Sequence, residues 1–150
     1  MDPVRLSKAF SYVNTEAAKG AIFHGALFAD DNGLYLIHNK HTWESAGTAT
    51  AAFGLLGALI HYLATRKKTV DYPFPTLPVT ELPRDLHASL GAGSFKETAE
   101  VSIIPKDQIR GYSKSTFKGS RFYVGDVELV LVGASGKAMK QLPELGYEEA

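Results

Sequence analysis

From Ser45 to Thr65 the chain carries no Asp, Glu, Lys or Arg, and this 21-residue run is bounded by Glu44 in front and Arg66-Lys67-Lys68 behind. No other stretch narrows the fold so far. By length it matches a bilayer span. By content it does not: Ala46, Ala49, Ala51, Ala52, Ala58 and Ala64, three glycines, three threonines and His61 make it poorer in large apolar side chains than a span requires. Gly47, Ala51, Gly54 and Ala58 recur at spacings of four, three and four, opposite the bulky Phe53, Leu56, Ile60 and Leu63. The spacing predicts a long inserted helix over 45–66 with one smooth and one bulky seam. The basic triplet suits its C-terminal end. The bulky seam fits a core, and the smooth seam fits close approach by a second helix, so a homo-oligomer is expected with Gly47, Ala51, Gly54 and Ala58 at the interface.

The flanks read differently. Asp2-Pro3 resembles a helix start, and Leu6, Phe10, Val13 and Ala17 at i, i+4, i+7 and i+11 predict a helix over 3–18, stopped by Gly20. Residues 20–29 and 33–39 read as strands joined by Asp31-Asn32-Gly33. Four prolines between Pro73 and Pro83 make 69–83 an extended connection, followed by a short helical turn over Arg84–Leu90. Strand signals then fill 99–133: Val101–Ile104, Ile109–Thr116, Arg121–Val124 and Val127–Val132. The expected fold class is α+β, a single domain over 1–150. It is a bent antiparallel sheet or pleckstrin-like β-barrel with an N-terminal helix and the long inserted apolar helix.

Bulk composition excludes several functions. Sixteen basic residues balance sixteen acidic ones, which argues against a nucleic-acid partner. The absence of Cys removes disulfides, thiolate metal sites and cysteine nucleophiles, and fits a reducing compartment. The first ten residues hold no apolar targeting core. A cytoplasmic protein is the expectation, with peripheral association to a membrane as the open option.

The order of these segments resembles the bacterial pleckstrin-homology-like domains, the GRAM-type group among them. The resemblance covers roughly 19–133. It rests on the Gly33-Leu34-Tyr35-Leu36-Ile37 strand, the uncharged Gly/Ala-rich helix and the Pro-rich segment with Leu82-Pro83 and Leu86. Its last part is Ile103-Ile104-Pro105-Lys106-Asp107-Gln108-Ile109, leading into a Gly-punctuated meander. It implies a noncatalytic domain that binds lipid headgroups, peptides or protein partners.

Candidate chemistry is sparse. Lys106, Arg110, Lys114, Lys118 and Arg121 crowd 105–121 against Asp107 alone, and strand alternation would put Arg110, Tyr112 and Lys114 on one face. Arg110, Tyr112, Lys114, Lys118 and Arg121 are therefore the candidate site for an anionic membrane surface or a protein partner. A solvated strand face accounts for the same charges. His38 and His41 could ligate a metal in a metal-dependent hydrolase, but they fall in no closed ligand set and read more simply as turn and surface histidines. Gly133–Ala138 lacks the phosphate-loop spacing and its hydroxyl. No enzyme and no cofactor is expected; the predicted function is a noncatalytic binding or scaffolding module.

Overall fold

A computed structural model describes residues 2–18, 20–43, 72–114 and 119–150. Among these residues eight strands form one sheet: β1 Val4–Val13, β2 Ala21–Ala29, β3 Gly33–Trp43, β4 Leu77–Pro78, β5 Glu100–Pro105, β6 Ile109–Ser113, β7 Arg121–Val124 and β8 Val127–Val132. Their order across the sheet is β4-β5-β3-β2-β1-β8-β7-β6, and every neighbouring pair is antiparallel. Helix is confined, among the described residues, to α1 Arg84–Ser89, α2 Gly136–Met139 and three 3-10 turns.

This corrects the α+β expectation at its first element. Residues 3–18 are not a helix; most of them form β1, hydrogen-bonded to β2 on one side and β8 on the other. The spacing that suggested a helix is ambiguous, because Leu6 and Phe10 lie four apart, which is two pleat periods and also close to one helical turn of about 3.6 residues. Tyr12 breaks the tie: Leu6, Phe10 and Tyr12 are all buried and share the parity of one strand face. Two flanking strands satisfy the β1 backbone as fully as a helix would. The longest described helix has six residues, so no long apolar helix stands among the described residues. The inserted helix expected over 45–66, with Gly47, Ala51, Gly54 and Ala58, lies outside the described residues.

The sheet has to curl. Passing from β5 to β6 through the sheet takes six interstrand steps, about 29 Å at the usual spacing. Along the chain the two strands are separated only by the turn Lys106–Gln108, which reaches about 14 Å at most. The two flanks therefore fold toward each other around a shared interior. Leu6, Phe10, Phe23, Leu27, Leu34, Leu36, Ile104, Tyr112, Phe122 and Leu129 fill that interior. The segment around α2 closes one end of it with Met139, Leu142, Leu145 and Tyr147. Ser135 caps α2 by accepting from the Ala138 N–H at 3.2 Å, so Gly133–Ala138 is a turn into a short helix.

A second cluster lies on the outside of β2, β3 and β5. Ala26, Phe28, Tyr35, Ile37 and Val101 are covered there by Val79 and Leu82 from the connection and by Leu90, Ala92 and Ala99 from the segment between α1 and β5. The proline-rich stretch is thus the lid of a satellite core. Pro78 and Pro83 stand just before the 3-10 turn Val79–Glu81 and before α1, and the first of these turns carries Val79 and Leu82 over the cluster.

Candidate functional site

The polar centre of the interior is His38, which is 4% exposed. Its position depends on a bulge. Gly25 pairs with His38 and His24 with Lys40, so Asn39 is the extra residue on β3. A Cβ on Gly25 would stand 2.0 Å from the Ile37 carbonyl oxygen, so only glycine admits this approach. The bulge turns His38 and His41 to the same side, and the Phe23 ring contacts both imidazoles at centroid distances of 4.9 and 6.1 Å. Strict alternation would have put them on opposite faces.

The tautomer of His38 follows from its partners. Nδ1 lies 3.1 Å from the Glu100 carbonyl oxygen, which can only accept, so Nδ1 carries the proton. Nε2 is then an acceptor and takes the Tyr12 hydroxyl proton at 2.7 Å. Burial pushes the His38 pKa down to about 4, against the raising effect of the Glu100 carbonyl. Burial likewise pushes the Tyr12 hydroxyl well up, reinforced by Tyr72. The Ser102 hydroxyl lies beside Tyr12 and opposes that rise, yet it is buried and makes no hydrogen bond of ordinary geometry among the described residues. Tyr72 is held up to about 12 by burial and then by the Glu100 carboxylate, which also accepts from Thr76 at 3.3 Å. Phe10, Tyr12, Phe23, Tyr72 and Phe74 wall the cluster with mostly edge-on and tilted contacts. The histidine read as a surface residue is a neutral core residue with both ring nitrogens engaged.

Tyr12 also borders a recess of about 490 Å³, lined further by Val13, Asn14, Thr15, Glu16 and Gly20. The connection between β1 and β2 that forms it is strained. Asn14 (φ 60°) and Ala18 (φ 56°) are the non-glycine residues with left-handed backbone among the described residues. That conformation costs about 1–2 kcal/mol at a residue such as alanine. The loop is held by the Asn14 side-chain amide donating to the Glu128 carboxylate at 2.8 Å and by the Ala17 N–H donating to the Thr15 hydroxyl at 3.2 Å. Nothing in the sequence pattern marks this recess, because no residue type in it is unusual.

The basic cluster expected on one face is not assembled. A register irregularity between Ile109 and Gly111 breaks the alternation of β6. Tyr112 points into the core at 1% exposure, packed on Phe122. Arg110 stays outside with its guanidinium 5.9 Å from the Tyr123 ring centroid, and exposed Lys114 places its ammonium 6.0 Å from the Tyr112 ring. Arg121 is half-buried and paired with Glu128 at 3.4 Å. Lys118 lies outside the described residues.

No group of three or more His, Asp or Glu side chains among the described residues is placed to hold a metal ion. No described helix is long and apolar enough to cross a membrane. No protein-family model matches the chain, and neither a curated protein nor a solved structure matches it. The likeness to pleckstrin-homology-like domains rests on sequence pattern alone.

Proposed function

We propose that this chain is a noncatalytic binding module whose ligand site is the recess beside Tyr12. The observation that carries this reading is the β1–β2 loop: left-handed Asn14 lines the wall of a recess beside Tyr12, whose hydroxyl is fixed on His38, and left-handed Ala18, buried in the interior, anchors the loop behind that wall. Backbone strain at such a wall is sustained only where surrounding contacts over-determine it, and it concentrates at ligand sites. A volume of about 490 Å³ falls in the range of small-molecule sites. The groups behind the recess are ill-suited to proton transfer at neutral pH. His38 stays neutral to about 4, Tyr72 stays protonated to about 12, and both His38 nitrogens are engaged.

The ligand class follows from the lining. Glu16 brings a carboxylate, Asn14 and Thr15 bring neutral polar groups, and Tyr12 brings an aromatic ring. A neutral polar or cationic group of small size fits that set, since ammonium groups favour aromatic faces and carboxylates. Titration of the ¹⁵N-labelled protein with choline, glycerol and inorganic phosphate tests this. Shifts concentrated in the amides of Asn14–Gly20 on adding choline or glycerol support the reading. Shifts there with phosphate alone, or with none of the three, overturn it.

A further inference from the structure

The free side of β6 is already occupied, and its occupant has a definite chemistry. β6 is the outer strand of its flank and pairs with β7 on one side. On the other side, Glu148–Ala150 lies along it in a parallel bridge at Tyr112 and Glu149. The Tyr112 N–H donates to the Glu148 carbonyl at 3.0 Å, and the Ala150 N–H donates to the Tyr112 carbonyl at 2.8 Å. Gly111 makes the approach feasible. It has φ +154°, and a Cβ there would stand 2.8 Å from the Glu148 carbonyl oxygen and 3.2 Å from Ala150. The Tyr112 side chain points inward, so the groove presents main chain; exposed Arg110 and Lys114 lie two residues before and after Tyr112, and Arg110 borders the same recess as Glu148.

The occupant is held lightly. Tyr147, just before it, is anchored: it is buried, and its hydroxyl donates to the Asp30 carbonyl at 2.8 Å. Glu148, Glu149 and Ala150 are exposed, and the two main-chain bonds at Tyr112 hold them. Two acidic residues thus lie on an edge flanked by two basic ones.

We propose that the β6 edge is a strand-addition site for an extended acidic segment of a partner protein, with Glu148–Ala150 as its resident occupant. An incoming strand repeats the hydrogen bonds at Tyr112 and sets its carboxylates against Arg110 and Lys114. The resident segment competes because it is tethered at Tyr147, which gives it a high local concentration. This site is separate from the recess beside Tyr12, and neither proposal depends on the other.

The test uses the full chain and a fluorescein-labelled peptide Thr-Val-Glu-Glu-Val-Thr, with a Lys-Lys twin as control. Glu148→Lys/Glu149→Lys alters exposed residues only, leaves the core intact and repels the resident segment from β6. This variant is expected to bind the acidic peptide at least tenfold more tightly than the unaltered chain, with the Tyr112 amide shifting on binding. Adding Arg110→Glu/Lys114→Glu is expected to abolish the gain. Equal affinity of the unaltered and Glu148→Lys/Glu149→Lys chains would overturn the proposal, as would equal binding of the Lys-Lys twin. Pelleting of the variant with phosphatidylserine vesicles in the absence of peptide binding would also overturn it and would assign the edge to a membrane surface.

Discussion

The two ends of β3 and β6 handle polar groups in opposite ways. Around His38 the side chains satisfy one another: Tyr12 donates to the imidazole, the imidazole donates to Glu100, and aromatic rings exclude water. Along β6 the side chains take little part, because Tyr112 faces inward and Arg110 and Lys114 face solvent, while the main chain makes the contact with Glu148–Ala150. A buried polar network loses heavily when one member is removed, since its partner is left desolvated. An exposed edge loses little, because water replaces what leaves. The first region is therefore built for rigidity and the second for exchange.

The largest expected effect is on the rigid side. Phe23 is fully buried and contacts Phe10, Tyr12, His38, His41 and Tyr72. Phe23→Ala should cost about 3–5 kcal/mol of stability in urea unfolding. A loss below about 1 kcal/mol would mean that the aromatic end is loosely packed and the contrast with β6 is false.

Acid is the next probe. Folding holds His38 neutral down to about 4, whereas the unfolded chain takes up its proton near 6.5. Between those values the unfolded state binds more protons, so stability falls as pH falls through that window. From pH 7 to pH 4 the protein should lose about 3 kcal/mol more than a His38→Gln variant does. Parallel pH profiles for the two would show that His38 titrates normally and that the network is open to water.

The smallest effect belongs to β6. Arg110→Ala/Lys114→Ala should leave stability within about 0.5 kcal/mol of the parent, as for surface side chains outside any buried network. A loss of several kcal/mol would make these cations structural and would undo the distinction drawn between the two regions.

Legibility in the sequence followed the same division. The hairpin of β2 and β3 was readable because Asp31-Asn32-Gly33 marks a turn, but its geometry comes from the residue before: the Asp30 carboxylate accepts from the Asn32 and Gly33 N–H groups at 2.8 and 3.1 Å, and neither Asp31 nor Asn32 takes a positive φ. Local rules also found the strands after Val101, where turn glycines separate short β-branched runs. They failed for β1, whose spacing served two periods and whose partners lie in β2 and in distant β8. They failed again at His38 and at Tyr112, where register irregularities reverse or preserve a face against simple alternation. The recess and the occupied edge were out of reach, since ordinary residues form them through strained backbone and main-chain bonds.

By itself the sequence determined what no tertiary contact could change. Absent cysteine removed thiol and disulfide chemistry, and glycine and proline placed most of the turns. The tertiary structure alone decided which face each strand buries and which side chains meet. A one-residue bulge costs the chain little locally, yet it moves every later side chain to the other face. Its position is set by strands that pair across the sheet from far along the chain.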